Sequence, residues 1–185
     1  MRMLLPFGIV GATVLLAMSL SLPASAQEAK AQLKDTEGKD VGAVDLIQTP
    51  SGVLLKMSLK GLPPGTSAFH IHEVGKCAAP FETAGSHFNP EKHKHGFTTG
   101  KGHAGDMPNI TIPQNGAVSV EVLNTAVTLQ KGMPNTLFDA DGSSIVIHAK
   151  ADDYRTDPAG NAGNRIACGV VVESGATVGA SPDKR

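Results

Sequence analysis

Asn109-Ile110-Thr111-Ile112-Pro113-Gln114-Asn115-Gly116-Ala117-Val118-Ser119-Val120-Glu121-Val122-Leu123 decides the fold class of this 185-residue chain. An Asn-Gly pair between two β-prone runs is the strongest short-range hairpin signal a sequence carries, since both residues tolerate the positive φ of a tight reversal. The stretch therefore predicts strands over 109–113 and 117–123, with Gln114-Asn115-Gly116 as the turn.

Working outward, residues 29–35 and 41–49 alternate loosely around Gly38 and Gly42 and read as a first hairpin. Pro50-Ser51-Gly52 is turn chemistry, and 53–59 follows as a third strand with Val53, Leu55, Met57 and Leu59 on one face. Gly61-Leu62-Pro63-Pro64-Gly65 ends it, and 68–74 is a fourth. Residues 75–108 have neither period, whereas a loop of that length in a compact domain is normally functional. Beyond the opening stretch, 127–129 continues the sheet, 132–142 connects, and 144–149 is a strand. Residues 151–164 form a second irregular loop, 165–173 is the last strand, and the tail from Ser174 frays. Seven or eight short strands, with no helical period and no internal repeat, make an all-β antiparallel sandwich or barrel.

Residues 1–26 stand apart from this pattern. Arg2, the apolar run from Leu4 to Leu22 and Ala24-Ser25-Ala26 read as a cleaved secretory signal rather than an anchor, leaving one domain over 27–185. No later segment is apolar enough to span a bilayer, so no membrane association follows cleavage. Without Arg2 the chain has 15 basic and 17 acidic residues and no basic stripe, which argues against nucleic acid. In an oxidising compartment the only two cysteines, Cys77 and Cys168, are expected to pair. In the chain-entropy model a loop of that length stabilises by about 4–5 kcal/mol.

All seven histidines fall between 70 and 148. In Phe69-His70-Ile71-His72-Glu73, strand alternation puts His70 and His72 on one face, about 7 Å apart at Cα, close enough for both rings to meet one ion. The first loop adds His87, His95, His103 and Asp106, a nitrogen and oxygen set suited to four-coordinate zinc. His148 is free to join His70 and His72, and an imidazole-rich site in an exported protein suits copper. Residue counting thus points to two metal sites without dividing the ligands between them.

Four blocks make the division specific: residues 68–73 (Ala-Phe-His-Ile-His-Glu), 84–90 (Ala-Gly-Ser-His-Phe-Asn-Pro), 148–153 (His-Ala-Lys-Ala-Asp-Asp) and 160–169 (Gly-Asn-Ala-Gly-Asn-Arg-Ile-Ala-Cys-Gly). In this order they resemble the exported bacterial copper/zinc superoxide dismutases, across nearly all of 27–185. The resemblance implies an eight-stranded antiparallel Greek-key barrel or sandwich with two long functional loops, one copper and one zinc per subunit, superoxide as substrate, and a periplasmic location. It makes His70, His72, His87 and His148 copper ligands and His87, His95, His103 and Asp106 zinc ligands, with His87 bridging and passing a proton to product. Asp152 matches the aspartate that orients His70 and His95, Arg165 the arginine beside the open copper position, and Cys77 and Cys168 the family disulfide. His93 matches no ligand and reads as a solvated loop histidine.

The chain also departs from long-loop members of that family. Only 12 residues separate Asp152 from Arg165, Ala159 stands where a rim threonine is found, and the flanking glutamates of that loop are missing. Arg155, Asp157, Lys92, Lys94 and Lys150 are the nearest charges by sequence. Residues 78–86 are longer than in animal enzymes, as in exported bacterial members; this loop makes subunit contacts in part of the family, which leaves monomer and homodimer both open. A non-enzymatic copper-binding protein on this fold predicts a lost bridge ligand or arginine, and neither is lost. A zinc hydrolase needs three protein ligands and water, whereas this zinc set has four.

Overall fold

The computed structural model describes residues 27–98 and 100–174; the segment 1–26, read above as a leader, and the tail beyond 174 lie outside them. Nine strands form: β1 (Glu28–Asp35), β2 (Asp40–Thr49), β3 (Gly52–Leu59), β4 (Gly65–Ser67), β5 (Phe69–His72), β6 (Ile110–Ile112), β7 (Val118–Asn124), β8 (Ser144–His148) and β9 (Arg165–Glu173). The single helical element among the described residues is a 3-10 turn, Glu82–Ala84.

Seven strands make an antiparallel sheet in the order β5-β8-β9-β1-β2-β3-β7, and β4 pairs with β6 in a second sheet. β4 and β5 are one strand path interrupted at Ala68, so the nine segments follow eight strand paths, as the resemblance implies. The break lets the first half pair with β6 and the second with β8, which joins the two sheets. From β3 the chain crosses to β4 and β5 and returns through β6 to lie beside β3 as β7. That return is the Greek-key path.

Alternation builds the core. Ala29, Ala31 and Leu33 of β1, Val44 and Leu46 of β2, and Val53, Leu55, Met57 and Leu59 of β3 are all buried in one cluster with Phe69 and Ile71 of β5 and Ile145 and Ile147 of β8. β5 and β8 are buried on both faces. With Phe69 and Ile71 facing the core, His70 and His72 must occupy the outward face, under the first loop.

The Asn115-Gly116 reversal forms, with the Gly116 N–H donating to Pro113 O at 2.9 Å and Gly116 at φ +69°. The hairpin predicted around it does not. β6 pairs with β4 and β7 with β3, so the turn links strands of two different sheets. Turn chemistry sets a reversal but not its partners, which here follow from the Greek-key path. The continuation predicted over 127–129 reduces to an isolated bridge between Thr128 and Thr136.

Candidate metal centre

The first loop is laid against the outer edge of β5. Phe88 N–H donates to Ile71 O (2.8 Å), Ile71 N–H to Gly105 O (2.9 Å), and Glu73 N–H to Ser86 O (2.9 Å). This ladder carries His87 alongside His72, while Phe88 and Met107 enter the core. From the far side, β8 pairs His70 with Val146 and the β8–β9 register shifts between Ile147 and His148, setting His148 opposite Arg165. A bulge at that point re-aims the side chain that follows it.

Two buried quartets result: His70, His72, His87 and His148, and His87, His95, His103 and Asp106. Within each, one potential ligand atom per residue lies within 4.8 Å of all the others. His87 belongs to both.

In the first quartet, hydrogen bonding fixes which ring nitrogen is left over. His72 Nδ1 donates to Gly85 O at 3.0 Å, and His148 Nδ1 to Gly163 O at 3.3 Å. Their Nε2 atoms then face one another at 3.4 Å, both as acceptors. His70 Nε2 donates to Asp152 Oδ2 at 2.8 Å, leaving Nδ1 buried without a partner. His87 Nδ1 donates to Asp106 Oδ1 at 2.9 Å, leaving its Nε2 in the same condition. Four imidazole lone pairs turned inward with no donor among them is a costly arrangement that a soft or borderline cation relieves.

The second quartet centres on Asp106. Its Oδ1 lies 2.9 Å from His87 Nδ1, 3.0 Å from His95 Nδ1 and 3.4 Å from His103 Nδ1. Its Oδ2 accepts from the Gly96 and His103 amides, each at 2.9 Å. Three imidazoles and a carboxylate, all nearly fully buried, fit a closed four-coordinate zinc site. Asp152 joins the quartets, its Oδ2 on His70 and its Oδ1 on His95 Nε2 at 3.0 Å. Asp152 is itself held by Asn109, which accepts from its amide (2.8 Å) and donates to its carbonyl (2.9 Å).

Burial sets the charge states. It pushes His72 down to about 2, His87 to about 4 and His148 to about 3, and lowers His70 as well, so these rings are neutral and able to ligate at neutral pH. His95 goes the other way. Burial opposes its charge, but the Asp106 and Asp152 carboxylates raise it to about 9. Burial likewise opposes ionisation of Asp152, yet hydrogen bonds from His70 and His95 hold it down at about 2.

A cavity of about 280 Å³ reaches His72, His87 and His148, with Arg165 at its wall. The guanidinium is fixed by two carbonyls of the first loop, Nη1 donating to Phe81 O at 2.6 Å and Nη2 to Gly85 O at 2.7 Å. The Cys77–Cys168 disulfide ties that loop to the strand bearing Arg165. Around it pack Phe81, Ala84 and Val146.

All the predicted ligands therefore meet, and His93, read from the sequence as a solvated loop histidine, stays outside both quartets, its side chain about one-third exposed and paired with Glu91 at 3.3 Å. Ala159 does line the cavity, but Arg155, Asp157, Lys92, Lys94 and Lys150 do not. Asp157 instead accepts from the His95 amide at 2.8 Å. The charged partner that sequence reasoning missed is Glu82, with Oε2 3.9 Å from Arg165 Nη2. It comes from the first loop, so proximity to the second-loop motif could not reveal it.

A Greek-key barrel whose outer face carries two adjoining quartets with a shared imidazole defines a β-protein for two metal ions. The copper/zinc superoxide dismutase (SODC) family profile matches residues 41–171. The chain belongs to that family. It is 51% identical to superoxide dismutase [Cu-Zn] 2 of Aquifex aeolicus over 88% of this chain and 95% of that one. It is 55% identical to superoxide dismutase [Cu-Zn] 1 of the same organism, over 79% and 89%. The crystal structure of a SOD-like protein from Bacillus subtilis superposes with a TM-score of 0.74 at 40% identity, covering 77% of this chain and 97% of that one.

Proposed function

We propose that this protein is a copper/zinc superoxide dismutase, converting two superoxide anions and two protons to dioxygen and hydrogen peroxide. The observation that carries this reading is the set of four inward-turned imidazole nitrogens beside a cavity whose arginine is fixed in place. His70, His72, His87 and His148 would hold copper, and His87, His95, His103 and Asp106 zinc. When bound, copper supplies the one-electron redox change that takes an electron from one superoxide and returns it to another, and zinc supplies fixed positive charge behind His87.

The chain's own residues do the rest. Arg165, with both terminal nitrogens anchored to carbonyls, presents its remaining donors to the anion at the cavity wall. His87 Nε2 has no protein partner, so with Nδ1 given over to the second quartet it can carry a proton in one half-cycle and give it to product in the other. Asp152 orients His70 and His95 together. A non-enzymatic metal carrier would have no use for Arg165 or the cavity. A zinc hydrolase would need an open position that the Asp106 quartet lacks. The proposal includes maturation after Ala26 and a periplasmic mature chain, 27–185. The disulfide supports an oxidising compartment, and no helix among the described residues is long and apolar enough to cross a membrane.

Superoxide decay measured with protein loaded with both metals tests this directly. Arg165→Ala should lower kcat/KM by about tenfold or more through lost anion binding. His148→Ala should remove the copper-dependent activity. Fully loaded wild-type protein with no activity sinks the proposal, whereas an unchanged His148→Ala sinks only that ligand assignment.

A further inference from the structure

His93 is the histidine that neither quartet uses, yet its placement is built. The Asn89 side chain clamps its backbone at both ends, donating to His93 O at 2.9 Å and accepting from His93 N at 3.0 Å. Lys92, at φ +56°, makes the turn, and its amide donates to Asn89 O at 3.2 Å. The clamp leaves the imidazole outside, with Nε2 3.3 Å from Glu91 Oε2. Two ligands at roughly 2.1 Å from a tetrahedral ion stand about 3.4 Å apart, so this pair already has the span of one edge of a zinc site.

Glu91 and His93 line a cavity of about 380 Å³ that also touches His103 and Gly102. His103 is the most exposed member of the second quartet, at 8%, and its Nδ1 stands 3.4 Å from Asp106 Oδ1. A second cavity of about 210 Å³ also touches His103 and reaches Asp106, but no histidine or carboxylate outside the quartet lines it, whereas Glu91 and His93 line the first. Lys101 lines both cavities and opposes a cation in either.

We infer that Glu91 and His93 form a capture site at the mouth of the first cavity, through which a divalent zinc-type ion is loaded onto His103 and then into the quartet. The inference rests on reading that quartet as the zinc site. Two protein ligands plus water hold an ion weakly enough to release it, whereas the four-ligand quartet retains it, so transfer runs inward.

Cobalt(II) alone is the probe, since its visible absorption reports tetrahedral binding. Metal-free, disulfide-intact full chain is mixed with it by stopped flow. Glu91→Gln and His93→Ala should each slow second-order uptake roughly three- to tenfold, within the range by which local charge alters on-rates. Lys101→Gln should speed it, and all three should reach the wild-type spectrum and affinity. Unchanged uptake in both slow variants overturns the route. So does a loss of final affinity, which would make His93 an equilibrium ligand. Failure of the wild type to give a tetrahedral cobalt spectrum overturns the zinc reading of the quartet, and the route with it.

Discussion

His87 has a task that no other side chain can take over. One ring nitrogen meets Asp106 and the other is turned into the first quartet, and only an imidazole presents two opposed in-plane nitrogens. The environment that makes these rings good ligands also makes the metal-free protein sensitive to acid. His72, His87 and His148, lowered to about 2, 4 and 3, refuse protons that the unfolded chain accepts near 6.5. Their contribution to stability is complete above 6.5 and is lost as pH falls towards the folded values. His95, raised to about 9, contributes stability that is present below 6.5 and lost as pH rises through 9. Denaturant unfolding of metal-free protein at pH 7, 5.5 and 4 should show falling stability. His87 alone would account for on the order of 3 kcal/mol at pH 4 if it titrated independently. A flat profile over that range would refute the buried-neutral assignment.

At the scale of the element, the second loop acts as one rigid arm because Asp152 is fixed before it reaches either quartet. Its backbone is held by Asn109, and Asn109 N–H in turn donates to Tyr154 Oη at 2.6 Å. Gly160 passes directly over the carboxylate at φ +61°; a Cβ there would overlap Asp152 Oδ1 and approach His95 Nε2 to 2.7 Å. Gly160→Ala should therefore displace the aspartate and weaken both metals by about 10–100-fold in chelator competition, the usual effect of losing an outer hydrogen-bond partner. Gly132→Ala is the control, with φ +82° but open space around the new methyl, so it should bear the backbone strain and leave metal affinity unchanged. Equal losses in both variants would assign the effect to strain alone. Elements of this kind were only partly legible from sequence. Strand periods were, because β1, β3 and β9 each bury an alternating or continuous apolar face. The partners of β6 and β7 were not, because Asn115-Gly116 specifies a local reversal and the chain's long-range path specifies pairing.

Across the whole molecule, two unlike sources of order divide the work. The barrel is held by a continuous apolar cluster running through β1, β2, β3, β5 and β8, with no metal involved. Residues 84–88 of the first loop share that support through the β5 edge, Phe88 and the nearby disulfide. Residues 91–103 do not. The described side chains buried there, other than glycine, are His95 and His103, both members of the second quartet. The copper-side residues could be read from sequence because each sits in a dense local block, and His95, His103 and Asp106 because the histidines of the first loop are so concentrated, but this unequal dependence could not, since it arises from which loop segments touch the core. Removing the zinc-site ion should accordingly raise amide exchange at His95, Gly96 and His103, whose N–H groups bond Asp157 and Asp106, by at least about 100-fold. Phe88, bonded to Ile71, and the amides pairing β1 with β2 and β9 should keep their protection. Hydrogen exchange read by mass spectrometry on the metal-free and zinc-loaded chains separates the outcomes. Acceleration confined to 91–103 and the second loop means that the ion orders a segment on an independently stable barrel. Uniform acceleration through β1, β2 and β9 would instead make metal and barrel one cooperative unit and defeat this division.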